Sequence, residues 1–290
     1  MIYLLLSIIA SSLIFIVFKL FDRFKINTLQ AIVCNYFFAC FTGLLAYNTR
    51  FSLNEILYKK WLLGAVLLGV LFIVIFNLMA ITTQRSGLSV VSVATKMSLA
   101  IPILFGFIYY GESISFVKIT GILLALTAVY FTSVKNEDGL KVKPKNLIFP
   151  VLVFLGSGVI DMSIKFLENS FVAKDEVPLF SATIFASAFV IGIMILVFQK
   201  LKGSFKFESK NLLGGVAIGI PNYFSIYFLV QALRANGLES STIFTLNNVA
   251  IVMLSTFLGI ILFKEKLLAK NWLGIGLAVI SLILVTLAAK

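Results

Sequence analysis

Long apolar runs separated by short polar segments make up nearly all of this chain of 290 residues. A helix needs about 20 apolar residues to cross the hydrocarbon core of a bilayer, and ten runs come close to that length. By residue number the runs are 2–20, 28–47, 61–81, 87–110, 116–134, 147–167, 178–198, 211–233, 238–263 and 271–288. Because backbone in lipid must satisfy its own hydrogen bonds, the pattern predicts an all-α integral membrane protein with ten transmembrane helices.

The ten runs form two sets of five that share a pattern. The polar segment 135–146 separates the sets, so we expect one five-helix repeat over residues 1–135 and a second over 146–290. With an odd number of helices in each repeat, the second repeat enters the membrane from the opposite side, which predicts an inverted arrangement. The positions shared by the aligned halves are Lys19 and Lys165, Gly64 and Gly214, Gly87 and Gly237, Gly106 and Gly259, Glu112 and Glu265, and Gly121 and Gly274.

The basic residues lie mostly in the loops. The chain carries 24 Lys and Arg and a net charge of +12, but these charges flank membrane runs and form no basic face, so we expect no nucleic-acid partner. The loops on one side contain 15 Lys and Arg and those on the other side 8. By the positive-inside rule this count favours both termini outside, although Arg50, Lys59 and Lys60 oppose it.

Composition supports a membrane protein and argues against catalysis. Hydrophobic residues make up 60% of the chain and the mean hydropathy is +1.07, whereas soluble domains contain about 45–50% apolar residues. The chain has no His, and Cys34 and Cys40 lie in one apolar run, which argues against a zinc site or a disulfide framework. No nucleophile with a neighbouring base and no Gly-rich phosphate loop is present, so we expect no catalytic residues, no metal, no cofactor and no enzyme activity.

Three segments carry a resemblance to a known family. They are "YYGESISFVKITGILLALTAVYF" (109–131), "LFKEKLLAKNWLGIGLAVISLILV" (262–285) and "FLVQALRANGLESSTIFTLNNV" (228–249). They resemble the drug/metabolite transporter superfamily, specifically its ten-helix EamA-type members, although the second segment reads Lys264-Glu265 where Gly-Glu is usual. The resemblance implies export of metabolites or amino acids through a central cavity between the two repeats.

Lys96 is the strongest functional candidate because it lies near the middle of an apolar run. An ammonium at that depth costs on the order of 3 kcal/mol unless it meets water or a partner. In the second half the corresponding residues are Asn247 and Asn248, which are polar but neutral. A cavity lined by both would suit a carboxylate or a phosphate. The alternative is a structural cation paired with backbone carbonyls or with a buried acid.

A carboxylate is also present in the sixth run. Asp161 lies near its middle, and Lys165 follows four residues later on the same helix face. The two form either a switchable charge pair for coupling or gating, or a self-neutralised pair that only allows insertion. Lys19 and Lys165 occupy equivalent helix ends, where long cationic side chains can instead reach the membrane interface.

Two prolines suggest local irregularity in the spans. Pro102 and Pro221 each remove a backbone donor and can kink or break a helix, which would expose carbonyls to a cavity. Next to Pro221, Asn222 and Tyr223 add an amide and a phenol that can bind substrate. The alternative is a packing kink tolerated by neighbouring helices.

Glu112 and Glu265 follow the fourth span of each half. We interpret both as loop or capping groups for the helix that follows, because an acid near a helix N-terminus interacts favourably with the helix dipole.

Together these patterns predict a secondary transporter, an exporter of a small polar metabolite that is anionic or zwitterionic, such as an amino acid, working by alternating access. A passive channel and a lipid-handling membrane protein are the alternatives. The expected location is the bacterial inner (plasma) membrane, where the lipid bilayer and a small-molecule substrate are the partners. The oligomeric state is left open.

Overall fold

The computed structural model describes residues 1–47, 53–86, 88–134, 146–203, 208–235, 237–264 and 267–288. Within these ranges the regular structure is helical. The α-helices are α1 (Ile2–Phe24), α2 (Thr28–Ala46), α3 (Leu53–Leu57), α4 (Leu62–Ser86), α5 (Leu88–Met97), α6 (Ala100–Tyr109), α7 (Phe116–Ser133), α8 (Ile148–Phe171), α9 (Val177–Leu201), α10 (Ser209–Arg234), α11 (Ser240–Phe263) and α12 (Ala269–Ala288), and a 3-10 turn at Lys174–Glu176 precedes α9.

Ten helical segments in the described ranges are long and apolar enough to cross a membrane. This confirms the predicted all-helical class and the number of candidate spans, as expected of a multi-pass integral membrane protein. α5 and α6 together make up the fourth segment, and the short α3 lies in the connection between the second and third. α4 and α8 continue past the predicted runs to Ser86 and Phe171 because their helices include polar residues beyond the apolar stretch.

The fourth span is interrupted between α5 and α6. At Ser98 and Leu99 the backbone bonds shorten to three-residue steps, with Leu99 N donating to Lys96 O at 3.5 Å and Ile101 N donating to Ser98 O at 2.9 Å. Pro102 explains the position of this change, since it has no N–H to give to Ser98 and its ring crowds that carbonyl. The sequence-based expectation of an irregular helix at Pro102 therefore matches the structure, whereas α10 runs unbroken through Pro221.

The helices form two compact units. The first unit contains Met1–Val74 and Ser163–Gln231, and the second contains Ile75–Met162 and Ala232–Lys290. Each unit therefore draws on both halves of the sequence. The repeats predicted over 1–135 and 146–290 are defined by sequence pattern alone and stay a prediction.

In the first unit, α2 and α9 approach closely at glycines. A Cβ built on Gly43 would lie 2.8 Å from the Cβ of Ala182, and one built on Gly192 would lie 2.8 Å from Cγ2 of Val33. Close helix approach through small residues is typical of membrane proteins. The two contacts are reciprocal. Gly192 lies 149 positions after Gly43, and Ala182 lies 149 positions after Val33, so each glycine contacts the counterpart of the other glycine's neighbour.

A second reciprocal pair of contacts brings α4 to α9 and α10 to α2. A Cβ on Gly69 would lie 2.8 Å from the backbone N of Ala188, and one on Gly219 would lie 3.2 Å from the backbone N of Ala39. Ala39 and Ala188 are again 149 positions apart, and the two glycines 150. The two halves of the chain thus repeat one packing pattern within this unit.

In the second unit, α7 and α12 pack antiparallel in the same reciprocal manner. A Cβ on Gly121 would lie 2.7 Å from Cγ2 of Val285, and one on Gly274 would lie 2.8 Å from the backbone N of Thr132. Gly274 lies 153 positions after Gly121, and Val285 lies 153 positions after Thr132. The Ser281 hydroxyl also donates to Gly121 O at 2.8 Å, which ties the helices together across a buried contact.

Candidate functional site

Lys96 lies in the last turn of α5, directly before the interruption of the fourth span. The residue is buried, with 9% of its surface exposed. A cation in the last turn interacts favourably with the carbonyl end of its own helix. The local fold therefore places a charged amine within the membrane-spanning region, at the point where the helix is irregular.

Asp161 of α8 is the charge partner of Lys96 within the second unit. The two side chains interact electrostatically, and Asp161 is only partly buried. α8 packs directly beside α6 at this level, since a Cβ on Gly158 would lie 2.3 Å from Cδ1 of Ile101. The structure therefore adds an electrostatic interaction between Lys96 and a partly buried acid, and whether Lys96 has a structural or a functional role stays a prediction.

Lys165, the predicted partner of Asp161, interacts with another acid. Its Nζ lies 3.3 Å from Oε2 of Glu168, one turn further along α8 in the first unit. Lys19 is partly buried near the C-terminal end of α1 in the same unit. The coupling or gating roles of Asp161 with Lys165 and of Lys19 stay predictions.

α11 presents the two predicted asparagines from a stretch that is buried almost all round. Asn247 and Asn248 have 5% and 9% of their surface exposed. Asn248 Nδ2 donates to Phe244 O at 3.1 Å, whereas Asn247 Oδ1 is buried without a hydrogen-bond partner among the described residues. Since an orphaned buried acceptor is costly, Asn247 Oδ1 is a candidate contact for a donor that the described part of the chain does not supply.

The interruption of the fourth span lies next to this part of α11. Met97, which follows Lys96, packs against the buried cluster that contains Val249 and Val252. Asn247 lies two residues before Val249, so its side chain leaves α11 on a different face from this cluster. The second unit therefore contains a cation, a carboxylate and an unpartnered amide oxygen on α5, α8 and α11.

The other predicted substrate contacts belong to the first unit. Asn222 of α10 is partly buried, and its Nδ2 donates to Oδ1 of Asn35 at 3.1 Å. Tyr223 is fully buried, its ring stacks on Tyr227 with centroids 5.7 Å apart, and its hydroxyl has no hydrogen-bond partner among the described residues. Tyr223 thus keeps a hydroxyl for a ligand, and the substrate-binding role of both residues stays a prediction.

Glu112 caps a helix other than the expected one. Its carboxylate accepts hydrogen bonds from Ser240 N at 2.9 Å and Ser241 N at 3.0 Å, and from both hydroxyls, at the N-terminus of α11. The expectation of a loop or capping group is correct, since Glu112 lies between α6 and α7 and caps a helix, but the following helix α7 is capped by Ser115, which accepts from Lys118 N. Gly106 makes room for the carboxylate, because a Cβ there would lie 2.9 Å from its Cδ. Glu265, the equivalent acid, lies outside the described residues.

Lys118 and Glu239 complete this cluster, and sequence reasoning did not single them out. Lys118 is fully buried; its Nζ pairs with Glu239, donates to Ser113 O at 3.2 Å and lies 3.8 Å from Glu112 Oε2. Burial would raise the pKa of Glu239, but hydrogen bonds from Lys118 and Ser113 outweigh it and hold the pKa below its usual value. One feature of the sequence could have indicated that Lys118 is buried. It lies two residues inside the fifth apolar run, whereas a lysine at the end of a span would lie before the run.

The equivalent position on α12 is neutral. Asn271, 153 positions after Lys118, donates from Nδ2 to Phe131 O at 2.8 Å and to Val134 O at 2.9 Å. Its Oδ1 accepts from Leu268 N at 2.8 Å. Because α7 and α12 are antiparallel, one end of the pair is fixed by charges and the other by amide–backbone bonds.

No family model matches the chain. An uncharacterized protein of Haemophilus influenzae is 29% identical over 209 residues, which cover 72% of this chain and 69% of that protein. A protein of known crystal structure is similar with a TM-score of 0.81 over 99% of this chain and 96% of its own, at 13% identity. At that identity the likeness shows a shared fold and carries no activity with it.

Proposed function

We propose that this chain is a secondary transporter that exports a small polar metabolite, anionic or zwitterionic, such as an amino acid. The proposal rests on one observation: the buried Lys96 lies in a membrane-length span, directly before its interruption, and interacts electrostatically with Asp161 of a second such span. Ionisable residues at that depth are costly and typically lie on substrate or ion pathways. Irregular backbone at membrane depth is likewise found where a helix lines a cavity.

The same proposal assigns the chain to the drug/metabolite transporter superfamily and to an inverted five-plus-five architecture. The reciprocal glycine contacts support it, because a two-fold relation requires that each contact between equivalent elements is made twice. Gly43 with Gly192 and Gly121 with Gly274 meet this requirement within their own units. Inverted repeats are common among secondary transporters, whose substrates bind near the midplane.

Under this proposal the predicted residues divide into two roles. The proposed substrate-binding residues are Lys96, Asn247 and Asn248 in the second unit and, in the first unit taken by itself, Asn222 and Tyr223. The residues proposed for coupling or gating during alternating access are Asp161, Lys165, Lys19, Pro102 and Pro221. The protein acts without a cofactor in the bacterial inner membrane.

Counterflow in proteoliposomes tests this function directly. A thermal-stability screen of the purified protein with amino acids, nucleosides and sugar phosphates first selects a probe, since a ligand that binds the folded state raises apparent stability by mass action. The selected probe is then loaded inside proteoliposomes and its labelled form is added outside. We expect internal loading to accelerate uptake of the label, because a carrier returns faster when it is occupied.

Two outcomes would contradict the transporter assignment. Uptake that internal substrate does not accelerate would indicate a passive channel. Stabilisation by lipids alone, with no soluble probe bound or carried, would indicate a lipid-handling protein.

A further inference from the structure

The turn between α1 and α2 is fixed to the first turn of α10 within the first unit. Asn27 N donates to Oδ1 of Asn211 at 2.9 Å, and Nδ2 of Asn211 donates to Oε1 of Gln30 at 2.7 Å. A Cβ built on Gly214 would lie 3.1 Å from Cγ2 of Ile26. The end of α1 and the beginnings of α2 and α10 therefore lie together at one end of this unit.

The last turn of α9 reaches the same level. A Cβ built on Gly192 would lie 2.8 Å from Cγ2 of Val33, and the contacts between α2 and α9 described above run in opposite directions along the two helices. At a rise of 1.5 Å per residue, the six positions from Val33 back to Asn27 span about 9 Å and the eight from Gly192 to Lys200 about 12 Å. α9 therefore ends beside the α1–α2 turn.

The segments that meet here, 22–28, 199–203 and 208–211, form what we call the basic end. By sequence they contain two acids, Asp22 and Glu208, and five cations, a net charge of +3; the cations are Arg23, Lys25, Lys200, Lys202 and Lys210. Lys210 Nζ lies 2.7 Å from Oε2 of Glu208. The other four side chains are exposed, and none of them forms an ion pair with the described residues. Most of the positive charge of the basic end is thus available to a partner.

Exposed apolar side chains border these cations. Phe24, Phe198 and Leu201 have 58%, 56% and 80% of their surface exposed, and they end helices long enough to cross a membrane. Lys202 Nζ lies 4.4 Å from the centre of the Phe198 ring, which keeps this cation beside an apolar surface. Cations next to exposed apolar groups suit an amphiphile with an anionic head. A free phosphate or a nucleic acid would use the charges alone.

Lys25 has a backbone conformation that folding alone does not explain. Its φ is +51°, and Ile26 N donates to Phe21 O at 3.0 Å, which closes the end of α1 in a form that favours glycine at this position. A side chain adds strain to left-handed backbone. Because the Lys25 side chain is exposed, the lysine stabilises no packing in return for this strain. A use for its charge outside the fold accounts for the residue.

We propose that the basic end binds an anionic phospholipid, with the headgroup phosphate at Arg23 and Lys25 and the acyl chains along Phe24 and Phe198. A guanidinium can bind two phosphate oxygens at once, and the nearby lysines add attraction that depends on the net charge of the headgroup. Phosphatidylglycerol therefore fits better than phosphatidylcholine, whose own cation would meet the lysines. This inference does not depend on the transport function proposed above.

Two lipids with the same acyl chains test the selection. Purified protein freed of lipid in a neutral detergent is mixed with phosphatidylglycerol or phosphatidylcholine, and apparent affinities come from the shift in unfolding temperature at increasing lipid concentration. At about 50 mM salt we expect phosphatidylglycerol to bind at least about 10-fold more tightly, and the ratio should fall towards one at about 500 mM salt because exposed charges are screened. Glycerol phosphate, the headgroup without chains, should not stabilise the protein at the same concentrations.

Three variants locate the site. Arg23→Gln with Lys25→Gln should weaken phosphatidylglycerol about 25-fold, about 5-fold for each cation removed, and leave phosphatidylcholine unchanged. Lys60→Gln with Lys174→Gln removes the same charge from exposed lysines before α4 and α9, at the opposite end of the unit, and should keep the wild-type ratio. Lys25→Gly should unfold at a higher temperature without lipid, since glycine relieves the strain, and still bind phosphatidylglycerol about 5-fold more weakly.

Four results would overturn the proposal. Equal affinity for the two lipids, or a ratio that salt leaves unchanged, would show that the headgroup charge is not recognised. Stabilisation by glycerol phosphate as strong as by phosphatidylglycerol would indicate a site for free phosphate. An equal loss in the two glutamine pairs would indicate a general effect of charge. If the Arg23 and Lys25 pair does not fold, Lys25→Gly decides, since wild-type affinity for phosphatidylglycerol in that variant contradicts the proposal.

Discussion

Within the second unit, the fourth and fifth spans of the first half can be compared with their counterparts in the second half. An interruption directly after Lys96 separates α5 from α6, whereas α11 is one continuous helix that carries Asn247 and Asn248. α7 begins with a buried lysine, and α12 has Asn271 at the equivalent position. The reciprocal contacts of Gly121 and Gly274 are nevertheless the same in both. The packing positions are thus shared, while the two buried lysines, Lys96 and Lys118, lie in the first half and have neutral amide residues at the corresponding positions of the second.

Under the proposed inverted repeat and transport function, this difference would let a symmetric scaffold bind an asymmetric substrate. Close helix contacts depend on small residues and backbone shape, which both halves keep. Charge depends on single side chains, which can change in one half without disturbing the packing. The following predictions act on the shared contacts and on the differences separately, beginning with the largest expected effect.

Lys118 is the buried cation at the charged end of the α7–α12 helix pair, and its removal should destabilise the protein most. Lys118→Met leaves Glu112 buried beside Glu239 without the amine between them, and breaking a buried pair of this kind costs about 3 kcal/mol. Asn271→Leu at the neutral end leaves the Phe131 and Val134 carbonyls short of a donor and should cost about 2 kcal/mol. Thermal unfolding in detergent measures both, and an equal or smaller loss for Lys118→Met would contradict the contrast between the ends.

The shared scaffold is tested at Gly274. A Cβ there would lie 2.8 Å from the backbone N of Thr132, and since backbone cannot yield as a side chain can, Gly274→Ala should cost about 2 kcal/mol. Gly276, two residues later on the same helix, has open space around it. Gly276→Ala should therefore be neutral or stabilising by up to about 1 kcal/mol, and similar unfolding temperatures for the two variants would exclude the packing argument.

The turns that follow α6 and α11 differ in one residue, and replacing that residue should stabilise the protein. Gly111 and Lys264 occupy equivalent positions, and both have left-handed backbone, with φ of +63° and +53°. Glycine adopts this conformation without the strain that a side chain adds. Lys264→Gly should stabilise the protein by about 1 kcal/mol and Gly111→Lys should destabilise it by a similar amount, which unfolding temperatures will show. A loss of stability in Lys264→Gly would mean that the lysine makes a contact that outweighs the strain.

The smallest expected effect is a pH dependence at the charged end. Because the pKa of Glu239 is lowered in the folded protein, its contribution is present above the pKa of the unfolded chain, about 4.3 for Glu, and disappears as the pH falls through the lowered folded value. Glu239 is partly exposed, so the contribution should stay below about 1 kcal/mol. Unfolding temperatures at a series of pH values should show a shallower acid slope for Glu239→Gln, and a slope equal to wild type would argue against the pairing.

Sequence patterns alone predicted the helices but only part of the site. Ten apolar runs fix ten helices because length and hydropathy are local properties, and Pro102 marked the interruption because proline acts on its own helix. The electrostatic interaction of Lys96 with Asp161 depends on how α8 packs in the second unit, which no local pattern contains. For the same reason Glu112 caps a helix whose first residues are 128 and 129 positions away in the sequence. The alignment of the halves supplied the comparison of Lys118 with Asn271, yet gave no sign that Lys118 would be buried.

The central claim is that Lys96 and its charge partner bind the transported substrate. Counterflow by Lys96→Ala, measured beside wild type and Lys174→Ala in matched proteoliposomes, tests it most directly. We predict at least a 100-fold loss of flux, on the order expected when a buried charge loses its partner, with the protein still folded and with Lys174→Ala at wild-type rates. Wild-type flux and affinity in Lys96→Ala would contradict the claim.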